Sequence, residues 1–134
     1  MPYYRLFYHF VWVTKDRLPL ITDANREPLY ATLRSKTAGL RGIVHALNSM
    51  SDHVHLVVTL PPSITPSTFI GQAKGASSHL ASRLSDNAFA WQGEYGVVSV
   101  SESHLPQVIR YVVMQQQRHT AGTFDPRLEH CASD

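Results

Sequence analysis

Apolar positions fall into short blocks whose spacing changes along the chain. Residues 3–14, YYRLFYHFVWVT, are aromatic and β-branched and predict a strand. The following KDRLPLIT reads as a loop. A helix is expected from about Asn25 to Ala38, with Pro28 tolerable near its first turn and Gly39 as a stop. Residues 43–50 and 53–60 are two short apolar segments separated by Ser51 and Asp52, a hairpin signal. Thr65 can cap a helix that begins at Pro66, and Phe69, Ala73, Ala76, Leu80 and Leu84 then recur at helical spacing to about Ser85. Gly71 and Gly75 lower the intrinsic stability of that helix. The loop DNAFAWQGE leads to a strand at 95–100, YGVVSV, and a last helix is expected from about Ser103 to Arg118.

The predicted order is β-α-β-β-α-β-α. Its first six elements match the ferredoxin-like arrangement, an α+β fold in which a four-stranded antiparallel sheet carries helices on one face. A single domain is expected over residues 1–134, with a core at about 3–120 and an irregular tail at 121–134. This fold hosts many functions, so the chemistry has to come from particular residues.

Composition narrows the class. No apolar run approaches the roughly 18 residues that a membrane span needs, so no membrane is expected. The run Tyr3 to Val13 carries Arg5 and His9 and makes a poor signal peptide. The only cysteine, Cys131, excludes an internal disulfide and a cysteine-cluster metal site, which points to the cytoplasm. With 12 Lys and Arg against 10 Asp and Glu, the net charge of +2 neither demands a nucleic-acid partner nor excludes one.

The segment SDHVHLVV at 51–58 sets two imidazoles into an apolar strand. Residues i and i+2 of a strand share a face, so His53 and His55 stand side by side, ~6.6 Å apart along the chain. Asp52, Val54, Leu56 and Val58 are expected on the other face, packed on helices, leaving the histidine face open. Such a pair can converge on one divalent ion, since neutral imidazole is a common ligand. It can equally be two solvated side chains, and two protein ligands alone make a poor site.

In the last helix, Leu105, Val108, Ile109, Val112 and Gln116 form one stripe, the first four apolar. Tyr111 and Gln115 lie four apart and flank that stripe, off the core. Taken alone, this is a tyrosine at the edge of a core beside a solvated glutamine. A tyrosine is a weak nucleophile near neutral pH, with an unperturbed pKa near ~10, and it needs a cation or base to attack well. An ion on His53 and His55 could supply that charge, and the Gln115 amide oxygen could be its third ligand.

The set YHFVWVTK (8–15), SDHVHLVV (51–58), WQGEYGVVSVS (91–101) and YVVMQ (111–115) resembles the single-tyrosine HUH transposases of bacterial insertion sequences, the IS200-like family, and their REP-associated relatives. The likeness spans about residues 3–120. HVH followed by Y-x-x-x-Q is specific in combination, and neither half is specific alone. The resemblance implies cleavage and rejoining of single-stranded DNA with hairpin ends, without a nucleotide cofactor, through a 5′-phosphotyrosine. It implies Tyr111 as nucleophile, with His53, His55 and Gln115 holding Mg²⁺ or Mn²⁺. It also implies a DNA-associated bacterial homodimer in which the tyrosine helix of one subunit can complete the other's site. Two imidazoles suit Mn²⁺ better than Mg²⁺, so Mn²⁺ is expected to serve at least as well.

Lys15, Arg17, Lys74, Arg83, Arg110 and Arg118 are candidates for a DNA path, and each is singly no more than a solvated charge. Phe89, Trp91, Tyr95 and Tyr4 could stack on unpaired bases, with core packing preferred for Trp91 and Tyr95. Phe10 and Trp12 are assigned to the core. His9 is read as a structural histidine rather than as a partner of a ligand, and His45 carries the same ambiguity. Four other readings compete. An RNA-recognition domain would need an aromatic signature that is absent here. A two-histidine phosphoesterase would need two H-x-[ST] motifs, and the chain has no such pair. Only the placement of Tyr111 speaks against a metal-binding protein without turnover, and the sequence does not separate the enzyme from a domesticated or inactive relative that binds hairpins.

Overall fold

A computed structural model of the chain describes residues 2–86 and 88–114. Strand β1 is Phe7–Val13, helix α1 Arg26–Gly39, β2 Ile43–Ser49, β3 His53–Thr59, α2 Pro66–Leu84, β4 Gly96–Val100 and α3 Leu105–Val113. Short 3₁₀ turns at Lys15–Arg17 and Glu102–His104 complete the order. The four strands form one sheet in the order β2-β3-β1-β4, with every pairing antiparallel, as the ferredoxin-like expectation requires. β1 begins four residues later than the aromatic run suggested. The expected stretch of the last helix beyond Met114, with Gln115, Gln116 and Arg118, lies outside the described residues.

Period 2 divides the sheet into two faces. Phe10 and Trp12 of β1, Leu47 of β2, and Val54, Leu56 and Val58 of β3 point to α1 and α2, where they form the main core with Leu29, Leu33, Phe69 and Ala73. Phe7, Ala46, Val57 and Val100 point the other way and meet Val108, Tyr111 and Val112 of α3. Helices therefore cover both faces. The first two helices share one face, as the ferredoxin-like order predicts, and α3 packs on the other.

Helix α2 starts as its sequence dictates: the Thr65 hydroxyl accepts from the backbone N–H of Thr68 at 3.1 Å, and Pro66 occupies the first turn. Its buried line is Phe69, Ile70, Ala73, Ser77 and Ala81, not the Ala76–Leu80–Leu84 continuation. Ser77 can replace an apolar residue because its hydroxyl is fully used. It donates to the Ala73 carbonyl at 2.7 Å and accepts the Trp91 indole N–H at 3.0 Å.

The α1–β2 junction turns within three residues. Arg41 takes the left-handed conformation with φ 64°, and the Gly42 N–H returns to the Thr37 carbonyl at 2.9 Å. A Cβ on Gly42 would stand 2.9 Å from the Thr37 methyl and 2.9 Å from the Thr59 carbonyl oxygen. The second of these is backbone and cannot move aside. Gly42→Ala is therefore expected to lower the unfolding free energy by about 1–3 kcal/mol in urea denaturation. An unchanged midpoint would mean that the junction is looser than this.

Candidate active site

His53 opens β3 and His55 follows two residues later, so the strand pleat puts both imidazoles on the α3 face, their ring centroids 5.2 Å apart. In the pairing with β1, His55 lies opposite Val11 and His53 opposite Val13. The side-by-side placement expected from spacing is present. The open face is not: His53 is 5% exposed and His55 0%.

The Nδ1 of each ring meets a polar partner. His53 Nδ1 lies 2.7 Å from Asp52 Oδ1. His55 Nδ1 lies 2.8 Å from His9 Nε2, with the two rings stacked at 5.0 Å. The first contact corrects the expectation that Asp52 points away. Asp52 precedes the strand, and its short side chain turns back onto the neighbouring ring. The second gives His9 the partnering role that the sequence reading had set second. A ligand histidine commonly gives its other ring N–H to a carboxylate or similar acceptor, which fixes tautomer and orientation. In that tautomer Nδ1 carries the proton and Nε2 is the nitrogen whose lone pair an ion would use. The donor set therefore fits a divalent ion held through Nε2. No group of three His, Cys, Asp or Glu among the described residues is arranged to hold an ion. Gln115, expected from the sequence as a third ligand, lies outside the described residues.

Electrostatics reinforce the orientation of His53. The hydrogen bond with His53, and the Arg17 guanidinium 3.7 Å from Oδ2, hold the Asp52 carboxyl below the usual carboxylate range. Arg17 follows Asp16 in a turn where both residues have positive φ, 55° and 53°. That strained conformation is fixed from several sides. Thr14 N–H donates to the Asp52 carbonyl at 2.9 Å, Lys15 N–H to Ala90 at 3.0 Å and Asp16 N–H to the Gln92 side chain at 3.1 Å.

Helix α3 brings Tyr111 to the pair. Its strongly amphipathic sequence buries Val108, Tyr111 and Val112, an i, i+3, i+4 set. Tyr111 is 4% exposed, and its ring stands edge-on to His55 with centroids 6.0 Å apart. It was expected to flank the apolar stripe and instead belongs to it, because α3 lies across β2 and β3 with that edge facing the sheet. One chain thus juxtaposes the tyrosine and the histidines without a second subunit.

The basic candidates separate. Lys15 and Arg17 sit in the turn beside His53, and Arg110 is exposed on α3. Lys74 and Arg83 are on α2, across the sheet. Lys74 donates to the carbonyls of Gln92 and Glu94 at 2.6 and 3.1 Å, which ties the loop before β4 to that helix. Arg118 lies outside the described residues. Phe89 is buried against Trp91, which packs edge-on to Trp12, so these rings serve the core rather than bases. His45 is remote from the pair: its Nε2 lies 2.6 Å from Thr59 Oγ1, and burial lowers its pKa.

The chain as a whole is similar to a described family and to known proteins. The family described as IS200-like transposases matches residues 2–115. The ISDra2 transposase TnpA of Deinococcus radiodurans is 27% identical over 122 residues, 86% of this chain and 87% of that protein. A crystal structure of a protein of the same species, assigned as a transposase, aligns with a TM-score of 0.67 at 27% identity, over 86% of this chain and 95% of the other. A REP-associated tyrosine transposase bound to a REP hairpin aligns with a TM-score of 0.70 at 15% identity, covering 89% and 74%, and shares the fold.

Because the folded pKa of Asp52 is depressed, its charge adds stability above the ordinary carboxylate range, and this is lost as pH falls through the folded value. Asp52→Asn keeps the shape and removes the charge. The variant is expected to lose on the order of 1 kcal/mol at pH 7, a loss that shrinks as pH falls below the ordinary carboxylate range, as read from urea unfolding across that range.

Proposed function

The chain belongs to the IS200-like transposase family, and from that premise we propose that it cuts and rejoins single-stranded DNA with Tyr111 as nucleophile. The observation that carries this reading is the Tyr111 ring against His55, in a pair whose Nδ1 atoms are both engaged. His53 and His55 would hold a divalent ion, with Gln115 as a further ligand. Bound there, the ion supplies positive charge to the phosphate and so favours both attack and departure.

Phosphoryl transfer asks the protein mainly to position and to neutralise charge. Tyr111 Oη loses its proton and forms a bond to phosphorus. The bond from phosphorus to the 3′ oxygen breaks, and that oxygen takes up a proton as a 3′-OH. The 5′-phosphotyrosine conserves a phosphodiester, so a later attack by a 3′-OH reseals the strand without ATP. His9 and Asp52 orient the histidine rings throughout.

DNA with hairpin ends is the proposed substrate. The relative whose structure holds a REP hairpin has this fold, which supports that choice. Of the basic candidates, Lys15, Arg17 and Arg110 are on the side of the histidines, and Lys74 and Arg83 are not. Homodimers remain the proposed assembly. The contact of Tyr111 with His55 in one chain supports a tyrosine acting in its own subunit, with exchange of tyrosine helices between the subunits of a dimer as the alternative.

Labelled single strands flanking the gene, incubated with protein and Mn²⁺, are expected to give a covalent protein–DNA band on a denaturing gel. Chelator and Tyr111→Phe should each abolish it, while the variant still binds the strand. A band that survives in Tyr111→Phe removes Tyr111 from the reaction. Hairpin binding by the native chain without any band favours a domesticated binding protein. Asp52→Ala is expected to weaken Mn²⁺ binding by roughly 10–100-fold in calorimetry, and unchanged affinity would separate Asp52 from the ion. Lys15→Ala and Arg110→Ala should each reduce the salt slope of DNA binding by about 1, and Arg83→Ala should not.

A further inference from the structure

The described end of α3 is held by one side chain of the neighbouring strand. Asn48 Nδ2 donates to the carbonyl of Val112 at 3.0 Å and to that of Val113 at 3.1 Å. These are the two residues after Tyr111, at a helix end whose carbonyls need outside donors. In the β2–β3 pairing, Asn48 is the residue directly opposite His55. A single amide therefore joins the strand position beside the histidine to the helix position beside the tyrosine.

The amide is aimed by its other end. Asn48 Oδ1 accepts the Ser49 N–H at 2.9 Å and the Tyr30 hydroxyl at 3.3 Å. The Tyr30 hydroxyl also lies 2.8 Å from Ser49 Oγ, so α1 braces the same corner around the edge of the sheet. These partners decide the orientation of the amide: a flipped Asn48 would set its oxygen against two carbonyls and its NH₂ against an N–H. The packing of Val108 and Val112 on the sheet is apolar and tolerant of small slides. Val108 and Val112 meet Phe7, Ala46, Val57 and Val100 there without directional bonds. Two hydrogen bonds from a strand residue give the helix a fixed register.

We infer that Asn48 is a latch that fixes the register of α3 and so sets where the Tyr111 hydroxyl stands relative to the His53–His55 pair. It is a positioning residue. It touches neither DNA nor ion in this assignment, and it acts through the two carbonyls that follow the tyrosine. The assignment rests on the proposed role of Tyr111 only for its effect on cleavage. The latch itself is a property of the fold.

Asn48→Ala and Asn48→Asp test it by hydrogen exchange and by adduct formation. Asp has the same shape as Asn but lacks the donor, and its charge opposes the negative end of a helix. In both variants, amides of residues 105–113 are expected to exchange about tenfold faster, while those of β1 and β3 exchange as in the native chain. With Mn²⁺ and single-stranded DNA, kcat for the covalent product should fall at least tenfold while KM for the strand stays unchanged. Tyr30→Phe, which leaves Asn48 in place but loosens its aim, should give a smaller change of the same kind. Native-like exchange of α3 in Asn48→Asp overturns the latch. So does a rise spread evenly over sheet and helix, which marks Asn48 as an ordinary stabilising contact. If the native chain forms no adduct, the reading of Tyr111 fails, and the exchange data still decide the latch.

Discussion

The alternation of β3 is the constraint from which the site follows. Seven residues, HVHLVVT, must serve two faces at once. Val54, Leu56 and Val58 anchor the strand in the main core. That burial holds His53 and His55 on the opposite face without giving them freedom to turn away. A slip of one residue would put both imidazoles into the core and three aliphatic side chains into the site. The register of the central strands is therefore also the register of the chemistry.

The imidazoles still need their rotation fixed, and this comes from outside the strand. Asp52 does it for His53 and His9 does it for His55. Asp52 is in turn held by the backbone of Thr14 and approached by Arg17 from the strained turn after β1. On the far side, α3 brings Tyr111 edge-on to His55. Each of these groups belongs to a different element, and they meet only because β1 and β3 are central and adjacent.

Much of this was legible in the sequence because it depends on local periodicity. The strand runs, the Thr65-Pro66 helix start and the hairpin at Ser51-Asp52 rest on neighbours in the chain, and the structure has them. The pairing of His53 with His55 needed only period 2. What the sequence did not reveal depends on elements far apart meeting. His9 becomes a partner of His55 only when β1 is known to lie beside β3, and parity along both strands then puts the two on one face. Given the ferredoxin-like order, that signal was available. The burial of Tyr111 was missed because the stripe of α3 was centred on Val108 and Ile109, while the sheet selects Val108, Tyr111 and Val112. Ser77 replaced an expected apolar residue for a similar reason: its partner, Trp91, comes from a loop with no period to read. The inward turn of Asp52 follows from a single side-chain torsion, which no pattern encodes.

In the proposed function, the bonds on the two Nδ1 atoms prepare His53 and His55 to hold an ion through Nε2, beside Tyr111. Crystals soaked in Mn²⁺ and measured at a wavelength where manganese scatters anomalously test it most directly. The account predicts one anomalous peak within about 2.0–2.3 Å of Nε2 of both histidines, with the Asp52 and His9 hydrogen bonds intact. A peak bound through Nδ1, with those bonds broken, or no peak between the two rings at saturating Mn²⁺, would contradict it.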